Sequence, residues 1–221
     1  TDPTESRLTA LTTLLESLPS DSEVGVSVIA FAGSTIAFLT GANEFTPTSA
    51  LPAAQRTLLT QRLGAFTIPG GGDSTDFVRP LAAIHQLTSA DISRRQTSML
   101  PRARYAIIFL SDGAPSLNQD DVLLCGDAVS RISALKSPNT NDVRLHTVHV
   151  FHPSAPTCSM DAGVVLPMQS CGIPVVTNPG PCPIEKVNES AERLRRMAGL
   201  GGGTFRDFRD NQPVNFSGLS P

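Results

Sequence analysis

The sequence predicts an α/β fold with a doubly wound, mostly parallel sheet, one antiparallel edge hairpin and helices on both faces. Short apolar runs typical of buried strands alternate with stretches of helical periodicity, which is the pattern of an α/β layered domain. Two β-rich runs are joined by the pair Gly33 and Ser34, which is typical of a tight hairpin turn. A length of 221 residues is enough for one core of good size.

The first part of the chain reads as a helix, a hairpin and two further helices. Asp2 and Pro3 form a helix-start pattern, and leucines follow at helical spacing. Beyond the hairpin, a glycine-rich loop separates two stretches of helical periodicity. The hairpin is predicted at residues 24–40, and the helices at residues 2–18, 53–63 and 77–87.

The second part alternates strands with helices. The run "YAIIFL" is almost wholly apolar, which is typical of a strand buried on both faces. Strands are predicted at residues 105–110, 144–151 and 204–208, and helices at residues 121–135 and 187–198. We interpret residues 1–221 as a single domain that carries a Pro/Cys-rich insertion at about 152–186.

Asp112 follows the apolar strand directly, in the stretch "RYAIIFLSDGAPS". In an open parallel sheet, ligands bind outside the carboxyl ends of the strands, where this carboxylate is expected. Carboxylate oxygens suit Mg²⁺ or Mn²⁺, and Gly113 lets the backbone turn away sharply. An Asp-Gly pair after a strand is also a common turn, so this motif alone is weak.

The loop "PGGGDSTDF" is a second candidate, because three glycines and four polar residues lead into a helix. Thr75 in this loop is either a helix-start residue or a ligand. A phosphate-binding loop is not favoured, because the lysine of that motif is absent and no strand immediately precedes the glycines.

Together the two stretches resemble the von Willebrand factor type A domain, also called the integrin I domain. The edge hairpin and the closing "GGGTFRDF" resemble that family in order and placement. The resemblance implies a Rossmann-like fold and a metal-ion-dependent adhesion site. The Thr75 hydroxyl and the Asp112 carboxylate would hold Mg²⁺ or Mn²⁺, with Ca²⁺ as a further candidate. The expected ligand-binding rim comprises Ser74, Asp76 and Gly113.

One element of the family pattern is absent from these 221 residues. The family carries a D-x-S-x-S motif at the end of its central strand, just before the first helix, and no such motif occurs here. We therefore expect the central first strand to come from a segment upstream of Thr1 or from a second chain.

The resemblance implies a metal-dependent adhesion module rather than an enzyme. Its partner would be a protein or extracellular-matrix ligand that offers a carboxylate to the cation. We expect a secreted or envelope protein at an extracellular, cell-surface or periplasmic location. The expectation of a bacterial source rests on the family resemblance alone. The alternative is a structural A domain that serves assembly and has an incomplete, non-functional metal site.

Three histidines, His146, His149 and His152, suggest a zinc site as a weaker alternative. Successive side chains of a strand alternate between faces, so His149 should point away from the other two. A zinc-dependent enzyme is therefore not favoured, and the sequence contains no nucleophile-elbow motif or paired carboxylates for catalysis.

The cysteine spacing favours disulfides over zinc, because no C-x-x-C pair occurs. Two disulfides in an oxidising compartment are expected, with free thiols in a cytosolic protein as the alternative. We expect the first cysteine to pair with one cysteine of the insertion, although four cysteines allow three connectivities. The cysteines are Cys125, Cys158, Cys171 and Cys182.

The overall charge excludes some partners. A net charge of -3 gives no general attraction to nucleic acid or to an anionic membrane. No apolar run approaches the ~20 residues that a membrane-spanning helix needs, so no span is expected in this chain.

Overall fold

The computed structural model describes residues 6–32, 35–41, 44–66, 76–101, 103–111, 127–136, 142–151 and 184–209. Within these ranges the chain is a mixed α/β structure. The helices are α1 Ser6–Ser17, α2 Ala53–Gly64, α3 Val78–Thr97, α4 Asp127–Ala134 and α5 Ile184–Leu200. The strands are β1 Gly25–Val26, β2 Ile29–Ala32, β3 Thr35–Phe38, β4 Thr46–Pro47, β5 Arg104–Ser111, β6 Asp142–Phe151 and β7 Gly202–Arg209.

The main sheet has three parallel strands in the order β5-β6-β7. Strand β5 pairs with β6 without interruption, from Arg104 opposite Asp142 to Ser111 opposite His149. Because the strands are parallel, all three end at one edge of the sheet, which we call the carboxyl edge, and begin at the opposite amino edge. The predicted α/β class with a parallel sheet is confirmed in this form.

The predicted hairpin is present as β2 and β3, with Ala32 opposite Thr35. It forms its own two-stranded sheet, and in the part of the chain that the structure describes it shares no backbone ladder with β5. The first strand of the predicted hairpin, at residues 24–32, is interrupted. The Val28 N–H donates to the Thr40 hydroxyl (3.1 Å), and β1 pairs separately with β4.

Helices cover both faces of the parallel sheet. On one face, β5 and β6 pack against α3, α4 and α5 in the largest hydrophobic cluster. On the other face, Ala10 of α1 packs against Val148 and Val150 of β6. The buried members of the larger cluster are Phe77, Leu81, Ile92, Tyr105, Ile107, Phe109, Val129, Ile132, Val143, Leu145, Leu194 and Met197.

Strand β5 is less buried than its apolar sequence predicts. Tyr105, Ile107 and Phe109 are buried on the face shared with the helices α3 to α5, whereas Ile108 and Leu110 on the other face are half-buried. Among the described residues, that second face carries the small cluster around α1, which covers it less completely. The prediction of a strand buried on both faces was wrong for the second face.

Most helix positions were predicted, but several bounds differ. Helix α2 matches its prediction, and α3 continues ten residues beyond its predicted end at 87. Helix α5 begins at Ile184, so the last three residues of the predicted insertion belong to this helix. The helix-start pattern at Asp2 and Pro3, the segment 121–126 and the insertion up to residue 183 lie outside the described residues.

Three glycines form the turn from α5 into β7, and two of them are required by close contacts with Leu145. A Cβ at Gly203 would overlap the Leu145 carbonyl, and one at Gly201 would overlap the Leu145 side chain. Gly202 has a φ of 67°, a conformation that glycine adopts at little cost. The glycines therefore let β7 begin directly against β6.

Candidate functional site

Helix α3 and strand β5 form an antiparallel pair whose direction is set by a contact at each end. At the carboxyl edge, the ring of Phe77 at the start of α3 lies 4.9 Å from the ring of Phe109 near the end of β5. At the amino edge, the Tyr105 hydroxyl donates to Asp91 Oδ2 over 2.7 Å. The start of α3 and the end of β5 therefore lie together at the carboxyl edge.

The two predicted metal ligands, Thr75 and Asp112, lie outside the described residues. In the sequence Thr75 is two residues before Phe77, and Asp112 follows Ser111 directly. The rim residues Ser74 and Gly113 and the four cysteines also lie outside the described residues.

Three phenylalanines from three elements support the carboxyl edge, and we call them the aromatic cluster: Phe31, Phe77 and Phe109. The Phe31 ring of β2 is stacked on Phe109 at 5.2 Å and meets Phe77 edge-on at 6.1 Å. Aromatic pairs of this kind contribute about 0.5–1.5 kcal/mol beyond their burial. The cluster joins the hairpin to the α3–β5 pair through side chains.

Asp76 is the one predicted site residue that the structure describes, and its carboxylate serves the start of α3. Its Oδ1 accepts from the backbone N–H groups of Val78 (2.9 Å) and Arg79 (3.2 Å), and its Oδ2 lies 3.4 Å from Arg79 Nε. These bonds satisfy two N–H groups that a helix start leaves without partners in the helix. The arrangement suits a residue that positions the loop better than one that ligates a cation.

Below the carboxyl edge, polar side chains occupy neighbouring positions on the three parallel strands, and we call them the polar row: Ser111, His149 and Asp207. The sheet register places Ser111 beside His149 and His149 beside Asp207. His149 Nδ1 donates to Asp207 Oδ1 over 2.9 Å, and the histidine is fully buried. The row therefore begins at the end of β5 and lies two residues before the ends of β6 and β7, with Ser111 and His149 buried and Asp207 half-buried.

His146 points to the opposite face of β6, as strand alternation predicts. Its Nδ1 accepts from the Thr204 backbone N–H over 3.2 Å and lies 3.0 Å from the Thr204 hydroxyl. His146 and His149 therefore do not converge, and His152 lies outside the described residues. In the parts of the chain that the structure describes, no group of three or more His, Cys, Asp or Glu side chains is arranged to hold a metal ion.

Sequence reasoning identified His149 but missed its partner Asp207. The pairing depends on the register between β6 and β7, which shifts between Leu145 and Thr147. Such an irregularity moves every later residue of β7 by one position relative to β6. An acidic residue in the last strand was the only available signal, and it does not indicate the partner.

At the amino edge, α3 and β5 are joined by a second polar group, the polar clamp, which comprises Asp91, Arg94, Arg95 and Tyr105. Asp91 is buried, receives bonds from Arg94 and from Arg95 Nε (2.7 Å), and accepts from the Tyr105 hydroxyl. Burial alone would raise the pKa of Asp91, but the hydrogen bonds from the two arginines and the tyrosine outweigh it, and the pKa is lowered. Burial and the bond to Asp91 raise the pKa of Tyr105.

Comparison with known proteins leaves the family open. No protein-family model matches the chain, and no curated protein matches it. A solved structure with some similarity is an uncharacterized membrane-spanning protein from Vibrio fischeri. It has 15% sequence identity and a TM-score of 0.26, over 94% of this chain and 78% of that chain. A TM-score this low does not establish a common fold.

None of the described helices is both long enough and apolar enough to cross a membrane.

Proposed function

We propose that the chain is a von Willebrand factor A-like domain that binds a protein or matrix ligand through a divalent cation at the carboxyl edge. The Thr75 hydroxyl and the Asp112 carboxylate are the proposed ligands, and Ser74, Asp76 and Gly113 surround them. When bound, Mg²⁺ or Mn²⁺ would supply an electrophilic centre for a carboxylate of the partner.

The contact between Phe77 and Phe109 carries this proposal. It brings the start of α3 to the end of β5, so the loop that bears Thr75 and the turn that bears Asp112 leave the fold at one place. The polar clamp supports the same direction from the other end of the pair. In open α/β sheets this is the edge at which ligands bind.

The separation of the hairpin from the parallel sheet supports the further proposal that another strand belongs between them. Within the described part of the chain, β5 is an edge strand, although its sequence is as apolar as that of a central strand. The hairpin contacts β5 through Phe31 of the aromatic cluster, that is, through side chains and not through a backbone ladder in the described part of the chain. An upstream segment or a second chain would supply this strand together with the missing D-x-S-x-S motif.

Binding of Mn²⁺ to the chain, followed by electron paramagnetic resonance, tests the metal site. We expect Thr75→Ala and Asp112→Ala each to weaken Mn²⁺ binding at least about tenfold, because each removes one of few oxygen ligands. Thr57→Ala, on an exposed position of α2, is the matched control and should bind as the unaltered chain does.

Ligand binding is tested separately with immobilised poly-glutamate, which offers carboxylates, in the presence of Mg²⁺ or of excess chelator. Retention that survives chelation contradicts the metal mechanism. Mn²⁺ binding that is equal in both variants and the control contradicts the assignment of Thr75 and Asp112. A chain that folds but binds no Mn²⁺, even when a segment that carries a D-x-S-x-S motif is supplied, supports the structural assembly domain instead.

A further inference from the structure

Positive charge is concentrated at the amino edge in a segment that comprises the last turn of α3, its connection to β5 and the first residue of β5. Its sequence from residue 94 to residue 104 is "RRQTSMLPRAR", which holds four of the chain's 17 basic residues and no acidic residue. We call this segment the basic loop. The net charge of the whole chain is -3, but this segment is locally positive and can therefore attract an anionic surface.

The middle of the basic loop is an exposed apolar tip formed by Met99 and Leu100. The Met99 side chain is 94% exposed and Leu100 is 46% exposed, and Pro101 beside them is also exposed. At 94% exposure Met99 contributes nothing to the core of this domain. Adjacent exposed apolar residues are typical of a surface that contacts a membrane or another molecule.

The backbone gives no reason for a methionine at this position. The Leu100 N–H donates to the Arg95 carbonyl (2.9 Å), which ends α3 in the arrangement that usually places glycine at position 99. Met99 has a φ of 53°, which costs about 1 kcal/mol for a residue with a Cβ. The fold therefore gains nothing from this side chain and would be served better by glycine or asparagine.

Arginines flank the apolar tip on both sides. The side chain of Arg94 is 55% exposed although it bonds to Asp91, and Arg104 at the start of β5 is exposed. Arg95 is 28% exposed and shares the same carboxylate, so Asp91 offsets one of these charges and leaves the loop positive. An apolar tip between cationic side chains matches the acyl boundary and the headgroups of an anionic bilayer.

We infer that the basic loop docks this domain on an anionic phospholipid surface, with Met99 and Leu100 at the acyl boundary and the arginines at the headgroups. The loop has no aromatic side chain on which bases of a nucleic acid would stack. The surface area of two apolar side chains at a loop tip is also far smaller than the area of a stable protein interface. The inference does not depend on the proposed metal site.

This docking would also set the orientation of the domain. Strand β5 has eight residues, which corresponds to about 26 Å from the basic loop to the carboxyl edge. The candidate metal site would therefore face away from the lipid surface, toward other partners.

Co-sedimentation of the chain with vesicles of phosphatidylglycerol and phosphatidylcholine, compared with phosphatidylcholine alone, tests the docking. We expect binding to the anionic vesicles only, and a loss of about fivefold in the partition coefficient for each arginine removed, hence more than about tenfold for Arg94→Gln with Arg104→Gln. The matched control is Arg62→Gln with Arg79→Gln, which removes the same charge from exposed positions elsewhere. Circular dichroism of each variant verifies that the fold is kept.

The apolar tip is tested with a reporter, since the chain contains no tryptophan. The emission of a Leu100→Trp variant should shift to shorter wavelength with anionic vesicles, whereas that of Leu58→Trp on α2 should not. Met99→Asn with Leu100→Ser should lower vesicle binding severalfold, with asparagine retaining the backbone conformation of position 99.

Three results would overturn the inference. They are equal binding of the chain to neutral and anionic vesicles, an equal loss of vesicle binding in the Arg62→Gln with Arg79→Gln control, and an unshifted emission of Leu100→Trp. Competition by inorganic phosphate beyond its effect on ionic strength would assign the loop to a free anion instead. Duplex DNA that binds as tightly as the vesicles, with the same dependence on Arg94 and Arg104, would assign it to nucleic acid.

Discussion

The two ends of the α3–β5 pair are held by different forces. At the carboxyl edge the aromatic cluster joins helix, strand and hairpin through apolar rings, whereas at the amino edge the polar clamp joins helix and strand through a buried carboxylate. Apolar contacts depend little on pH, and the clamp depends on the ionisation of Asp91. The contact that joins α3 to β5 at the carboxyl edge is thus less sensitive to pH than the one that joins them at the amino edge.

The largest expected effect is at the aromatic cluster. Phe109→Ala removes a ring that is only 2% exposed and contacts both other members, so we expect a loss of about 3–5 kcal/mol in the free energy of unfolding. Urea unfolding measures it, with Leu58→Ala at a partly exposed position of α2 as the control. A loss below about 1 kcal/mol would mean that the cluster does not hold the hairpin and the pair together.

Breaking the polar clamp should have the next largest effect. Asp91→Asn keeps the size of the side chain but removes the charge that holds Arg95, and we expect a loss of about 2 kcal/mol. Arg94 is too exposed to contribute much, so Arg94→Gln should cost less than about 0.5 kcal/mol. Equal losses for the two variants would show that the network does not centre on the buried carboxylate.

The clamp should also make stability depend on pH in the acid range. The pKa of Asp91 is lowered from 3.8, so in acid the unfolded chain binds the proton more readily than the folded chain. The contribution of Asp91 to the free energy of unfolding is therefore complete above pH 3.8 and is lost as the pH falls through the pKa of the folded state. The free energy of unfolding, measured from pH 6 to pH 2, should change less with pH in Asp91→Asn than in the unaltered chain. An identical dependence on pH in the two proteins would contradict this assignment.

The smallest expected effect is at the start of α3. Asp76→Ala removes the acceptor of the Val78 and Arg79 N–H groups and should cost about 1 kcal/mol, with Asp76→Ser recovering most of it. If Asp76 were also a cation ligand, Mn²⁺ binding would fall as far in Asp76→Ser as in Asp112→Ala. We expect it to change much less.

The sequence predicted the elements better than their extent. Helical and strand periodicity identified α2, β5 and β6, because each buries apolar side chains at regular spacing. The last ten residues of α3 were missed, since "TSADISRRQT" has only one large apolar residue, Ile92. Within this stretch Asp91 accepts from the Tyr105 hydroxyl, a contact between residues 14 positions apart that has no local signal.

The candidate site was also predicted only in part from the sequence. Local motifs at Thr75 and Asp112 indicated a metal site, and the contact between α3 and β5 supports bringing them to one edge. The polar row could not be predicted, because the partnership of His149 and Asp207 depends on a shift in strand register that no local pattern encodes. Asp76 was predicted at the rim, but its engagement with the helix start was visible only in the backbone geometry.

The glycine turn before β7 has a consequence for how this molecule tolerates change. A residue inserted there would move every following side chain of β7 to the opposite face and separate His149 from Asp207. By contrast, the chain after β6 accommodates 32 residues before α5 begins, at the opposite edge of the same sheet. Variation between related sequences is therefore expected at the carboxyl edge, while the length of the turn into β7 should stay fixed.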